Sequence, residues 1–224
     1  MKEHGILFTA PMVRAILAGT KTQTRRIAKA PKGYEPAASS QLLAPRLVCR
    51  QSPDVDPNEV ADEPVRYISA PHGPVGRRLW VRETFALSCA DPEQFDDRDL
   101  KNPADWDPPV YRATATGGEW EHYDGKGNRT KIPPPWKPAI HMPRWASRIT
   151  LEVTRVRLER VQSITEDDAR AEGVELETAG PVYRYADGRV DARSVYADLW
   201  NTINGAGSWA SNPWCWVYDF KRIA

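Results

Sequence analysis

The chain has little cysteine: three residues, Cys49, Cys89 and Cys215, an odd and scattered set with no Cys-x-x-Cys pair. That excludes a disulfide framework and offers no zinc-ligand spacing. Long apolar runs are missing too, and nothing approaches the roughly 18 residues that a membrane-crossing helix needs. The opening MKEHGILFTAPMVRAILAGTK is broken by Pro11 and Arg14 and does not read as a signal peptide. Net charge is nearly absent, +1 from 31 basic and 30 acidic side chains, which excludes a polycation that coats nucleic acid by bulk attraction. There is no P-loop, no Gly-x-Gly-x-x-Gly, no His-Glu-x-x-His, no Ser/His/Asp pattern and no internal repeat. A reducing cytoplasm, with no membrane partner, no metal and no cofactor, is the expectation.

What is present is aromatic and uneven. Nine Trp and twenty Pro stand beside four Phe, at a mean hydropathy of −0.60. Each indole N–H wants a partner, so that much Trp points to aromatic surface as well as core. The neutral total also hides an alternation. Residues 1–50 carry +7, 51–120 carry −7, 121–162 carry +5 and 163–224 carry −4. The first and third blocks can build a local basic face, although solvated surface explains such blocks as readily.

Local patterns predict an α+β order without βαβ repeats. Gly5–Phe8 reads as a strand, then Ala10–Ala18 as a helix with Thr9 as cap, a stripe of Met12, Val13, Ile16 and Leu17, and Gly19 as its stop. The stretches 28–74 and 84–138 look like long irregular insertions. Within the second, Val110–Ala113 and Glu119–Tyr123 are predicted to form a hairpin-like excursion with a turn at Gly125–Gly127. Gly76–Glu83 alternates like a strand, Pro133–Pro138 must be extended, and Arg148–Leu158 is the clearest strand. Thr165–Glu172 is predicted helical, with Asp168 three residues after a Thr165 cap and Gly173 as stop. Tyr183–Val190 resembles a hairpin around Asp187-Gly188. A helix over Asp191–Asn204 carries Val195, Leu199 and Ile203 on one face, and Trp214–Phe220 is a closing strand.

Three constellations carry chemistry. In Lys21-Thr22-Gln23-Thr24-Arg25-Arg26, a Thr hydroxyl needs a base to become a nucleophile, and a Lys amine serves only if its pKa is depressed. Burial and the two neighbouring guanidiniums act in that direction. Positions 21 and 24 face opposite ways in a regular strand, so the pair demands a bend after Gly19-Thr20. Spacing alone favours a polar, solvated segment. Glu172, at the unfavourable end of a helix dipole, calls for a cationic partner such as Lys21, or else is an exposed end-of-helix acid. Glu83 reads either as a second acid or as a strand-end ion pair. The third constellation is Trp136–Arg148, where His141, Arg144 and Trp145 interleave cation and aromatic as base stacking and phosphate contact require. A Pro-stiffened loop covering a core edge fits as well. Trp209 and Trp214 belong to a similar stretch that suits a pocket wall.

The residues Ile16–Arg26, Gly76–Glu83 (G-x-x-L-W-V-R-E), Thr150–Thr154, Ile164–Gly173 and Asn212–Phe220 together resemble ASCH-domain proteins of the PUA-like superfamily. The run His141–Arg148 is most similar to members common in phages and prophages. The resemblance implies one domain over 1–224, a small β-barrel with flanking helices and insertions at about 28–74 and 84–138. It also implies RNA binding or, as in small bacterial members, hydrolysis of N4-acetylcytidine. For the latter it places the working residues at Lys21, Thr24 and Glu172, with Trp80 or a Trp from 209–216 stacking on the base. Arg25, Arg26, Glu83, His141, Arg144, Trp145, Trp209 and Trp214 are then candidates for holding a modified nucleoside or RNA. The alternative is a module that binds RNA or a modified base without turnover.

Overall fold

The computed structural model describes residues 3–32, 34–40, 45–51, 65–87, 108–115, 120–123, 129–132, 136–174 and 183–224. In chain order the first elements are β1 (His4–Leu7), α1 (Ala10–Leu17), β2 (Gln23–Ile27), β3 (Tyr34–Ser40), β4 (Arg46–Gln51), β5 (Val65–Ser69) and β6 (Arg78–Arg82). They are followed by β7 (Phe85–Ala86), β8 (Val110–Tyr111), β9 (Trp120–Tyr123), β10 (Arg129–Ile132) and β11 (Thr150–Arg160). The chain closes with α2 (Glu166–Ala171), α3 (Ala192–Asn204) and β12 (Trp214–Arg222). Helices and sheets are mixed, as the α+β reading requires. The small barrel is not found: every described sheet is open.

The chain forms two compact units, each assembled from separated stretches. The first comprises Met1–Leu17, Arg78–Leu151 and Arg222–Ala224, and the second Ala18–Arg77 and Glu152–Lys221.

In the first unit β1 runs parallel to β6, with Ile6 opposite Val81. The α1 stripe buries Val13 and Ile16, and the Thr9 carbonyl accepts the Val13 N–H at 2.9 Å. A separate apolar cluster joins Phe85, Leu87, Met142 and Ala146, with Trp80, Tyr111 and Trp145 packed on it. The 84–138 stretch departs from expectation in its pairing. β8 pairs with β7 instead of β9, and β9 pairs antiparallel with β10. The turn expected at Gly125–Gly127 lies outside the described residues, as do residues 133–135 of the expected extended run; Lys137 forms a bridge with Phe85.

In the second unit the described residues of 28–74 are not the irregular insertion their composition implied. β3, β4 and β5 form an antiparallel sheet that buries Leu47 and Cys49. Pro36 sits at a register shift between Pro36 and Ala38, where the ladder needs no N–H from it. β11, β12 and β2 are successive strands of one sheet, and β2 is antiparallel to β12 with Thr24 opposite Tyr218. Helices α2 and α3 bury Ala169, Ala192, Tyr196 and Trp200 with Val161, Ile164 and Cys215. The inner face of α3 is therefore Ala192-Tyr196-Trp200, and Ile203 of the expected stripe is 48% exposed. The predicted hairpin over Tyr183–Val190 is reduced to one bridge, Arg184 with Val190, around Gly188.

Candidate functional site

Lys21 lies between the end of α1 and β2, after a turn in which Gly19 takes φ 77°. Continued from Gln23 opposite Asp219, the β2–β12 register puts Thr22 opposite Phe220. A regular antiparallel pair would exchange both backbone hydrogen bonds. Thr22 accepts the Phe220 N–H at 2.8 Å but donates its own N–H to the Ala171 carbonyl at 2.9 Å. Lys21, Gln23 and Arg25 nevertheless keep the two-residue spacing of one strand face, each reaching Glu172 or Asp168, with the exposed Thr22 between the first two. Lys21 itself forms an isolated antiparallel bridge with Glu172.

Local chemistry fixes Glu172 in place. Thr165 caps α2 by accepting the Asp168 N–H at 3.1 Å, and the Asp168 carboxylate reaches back to the Thr165 N–H at 3.5 Å. Six residues later the helix stops. Glu172 is its C-cap and Gly173 turns away at φ 73°, in the left-handed region that glycine enters without penalty.

The Lys21 ammonium donates to the Glu172 carbonyl at 2.7 Å and to Glu172 Oε2 at 3.0 Å, with the two side chains 0% and 4% exposed. Arg25 Nη1 donates to the other oxygen, Oε1, at 3.4 Å, so two cations share one carboxylate. Arg25 Nη2 reaches Asp168 Oδ2 at 3.1 Å and Glu159 Oε2 at 3.3 Å. Gln23 accepts from Arg25 through Oε1, and its amide nitrogen donates to Asp168 and Asp219, each at 2.8 Å. Arg157 completes the lattice through Glu159 at 3.1 Å, Asp168 at 3.3 Å and Asp219 at 3.5 Å.

Burial pushes the Lys21 amine below the ordinary lysine range; Glu172 opposes that shift, and the Arg26 and Arg25 charges add to it. For Asp168 burial acts upward but is outweighed by the Gln23 hydrogen bond and by Arg25 and Arg157, which hold the carboxyl down to about 2. Desolvation lifts the Cys215 thiol and the Tyr218 phenol each to about 12, so neither is a nucleophile near neutral pH.

The nominated residues divide between the units. Lys21, Thr24, Arg25, Arg26, Glu172, Trp209 and Trp214 belong to the second. Thr24 is buried on β2, and Arg26 stands opposite Trp216. Trp209 packs edge-on against Tyr196 at 6.3 Å, and the Arg160 guanidinium stacks 4.5 Å from the Trp214 ring while donating to the Asn212 carbonyl. Both tryptophans are engaged in packing within this unit.

Trp80, Glu83, His141, Arg144 and Trp145 belong to the first unit. Glu83 is 2% exposed and takes Arg148 on both oxygens, at 2.9 and 3.0 Å, which is the strand-end ion pair among its two readings. Arg144 is paired with Glu3 at 2.6 Å, and Trp80 and Trp145 pack on the Phe85 cluster. His141 is exposed at the end of a short 3-10 turn.

The residues that sequence reasoning missed are Gln23, Arg157, Glu159, Asp168 as an acceptor, and Asp219. The i, i+2 spacing of Gln23 and Arg25, and of Arg157 and Glu159, is the signal that two strands each present a polar face. Among the described residues no group of three His, Cys, Asp or Glu is placed to hold a metal ion, and no helix is long and apolar enough to cross a membrane. Comparison of the chain with known protein families, with curated proteins and with solved structures found no match.

Proposed function

We propose that the second unit carries an amidohydrolase site for N4-acylated cytidine, with Thr24 as nucleophile, Lys21 as general base and Glu172 holding the lysine. The observation that carries this reading is the buried Lys21–Glu172 pair: an amine held below its usual pKa, 3.0 Å from a buried carboxylate, three residues before the buried Thr24. The resemblance to ASCH-domain proteins supplies the substrate class.

In this reading neutral Lys21 takes the Thr24 hydroxyl proton as Oγ1 bonds to the acyl carbon. Collapse of the adduct breaks the acyl C–N4 bond, and the leaving cytosine amine takes the proton from Lys21. Water then attacks the Thr24 ester, giving its proton to Lys21. The carboxylic acid leaves and the proton returns to Thr24.

The test is incubation with N4-acetylcytidine, with cytidine and acetate measured by chromatography. Wild-type enzyme releases both, Thr24→Ser retains part of the rate, and Lys21→Ala loses about 10²–10⁴-fold. No cytidine from the wild type, or undiminished release by Lys21→Ala, defeats the reading. Saturable binding of the nucleoside without release leaves the binding module instead.

A further inference from the structure

Glu172 is a poor partner for a lysine that must shed its proton. Its carboxylate is 4% exposed and lies at a helix C-terminus, where the dipole disfavours negative charge. Once Lys21 is neutral, the lysine no longer compensates that carboxylate, and an unpaired buried charge is strongly unfavourable. The carboxylate would then capture the proton that Lys21 is meant to move, or drift from its place.

The second cation removes this difficulty. Arg25 holds Glu172 Oε1 at 3.4 Å while Lys21 holds Oε2, so the two do not compete for one oxygen. A guanidinium stays protonated throughout, and the Arg25 side chain is 0% exposed. The same Nη1 also donates to Gln23, and Nη2 donates to Asp168 and Glu159, which hold the guanidinium in this position. Lys21 directs two N–H groups at Glu172, the carbonyl at 2.7 Å and Oε2 at 3.0 Å. A neutral amine keeps two N–H groups, so both contacts survive loss of the third proton.

We infer that Arg25 is a positioning residue for Lys21: by holding the second oxygen of Glu172 it keeps that carboxylate in place while the lysine gives up and regains a proton. This rests on the amidohydrolase reading of the same site. The charged and titratable groups that face Lys21 and its partner include Glu172 and Asp168 from α2, Arg25 and Arg26 from β2, Arg157 and Glu159 from β11, Asp219, Tyr218 and Cys215 from β12, and Tyr196 from α3. Arg25 and Lys21 each touch Glu172 directly.

The test follows the Lys21 amine by NMR in full-length protein labelled at lysine, with the signal assigned by its loss in Lys21→Met. The pH profile of kcat/KM for N4-acetylcytidine is measured alongside. In Arg25→Gln the Lys21 midpoint moves to higher pH, and the rising limb of the profile moves with it, losing about tenfold at neutral pH for each pH unit. Arg25→Lys, which keeps the charge, returns the midpoint toward wild type. A folded Arg25→Gln with an unmoved midpoint, or a loss equal at every pH, overturns the inference. Wild-type protein that releases no cytidine refutes the amidohydrolase reading and leaves the NMR midpoint to decide on Arg25. If Arg25→Gln does not fold, Arg25→Lys decides by its kinetics: kcat falls with KM unchanged if Arg25 acts through Glu172, and a rise in KM alone overturns the inference.

Discussion

Replacing Glu172 by glutamine keeps the side-chain shape and removes its charge. Arg25 retains Asp168 and Glu159, so the loss falls on Lys21, whose side chain is 0% exposed and which donates to both the carbonyl and Oε2 of residue 172. Removing one partner of a buried ion pair costs about 3–5 kcal/mol. For a chain of 224 residues that corresponds to a fall in melting temperature of roughly 6–20 °C. The pH dependence distinguishes this cause from simple loss of packing. Without Glu172 the folded state holds Lys21 neutral, while the unfolded chain still protonates it up to about pH 10.4. The unfolded state therefore binds one proton more, and stability of the variant rises with pH by about 1.4 kcal/mol per unit until that point. Thermal or urea unfolding of both proteins between pH 6 and 10 measures it. The gap from wild type narrows as pH rises toward the lowered wild-type Lys21 midpoint and levels off above it, where both folded proteins hold the amine neutral. A gap that is constant across the range, or smaller than about 1 kcal/mol at neutral pH, refutes the argument.

Acid should expose Asp168: a carboxyl held down to about 2 adds stability above its ordinary pKa and loses it as pH falls from about 5 toward 2. Asp168→Asn should flatten that acid limb, by about 1–2 kcal/mol after allowance for its partial exposure, in urea melts from pH 2 to 6. Thr165→Ala removes the α2 cap and should cost about 1 kcal/mol, lowering the thermal midpoint and weakening amide-exchange protection first at Asp168. Glu83→Gln leaves Arg148 without its two carboxylate contacts and should cost about 3 kcal/mol in denaturant unfolding; a change below about 0.5 kcal/mol would mean the pair is only a surface contact.

Local signals carried some of these features and distance concealed others. The cap, first turn and stop of α2 were legible because Thr165, Asp168 and Gly173 act within eight or nine residues of one another. The Lys21–Glu172 pair was legible by type, a helix-end acid in want of a cation. Its surroundings were not. Arg25 reaches Glu159, Asp168 and Glu172, which lie 134 to 147 residues downstream, and no periodicity near position 25 reports them. In α3 two i, i+4 stripes compete. The aliphatic one looked like the core, yet the larger Tyr196 and Trp200 won the interior. The rule that every indole needs a partner misled there, since the Trp200 N–H is buried with no hydrogen-bond acceptor among the described residues. The β3–β4–β5 sheet was hidden by proline and polar composition, because a bulge lets Pro36 sit in a strand.

The bridge between Lys21 and Glu172 also sets an order of events in time. The two residues are separated by 151 positions, and the second unit takes its chain from both sides of the first. A ribosome adding about 5–20 residues per second needs roughly 8–30 s to reach Glu172 after Lys21 has emerged. For that interval the lysine has no carboxylate from α2 and stays in water as an ordinary ammonium. Its burial beside Glu172 begins only when the last third of the chain arrives and the long loop closes, so a nascent or truncated chain ending before Glu172 carries Lys21 and Arg25 without the carboxylate they share.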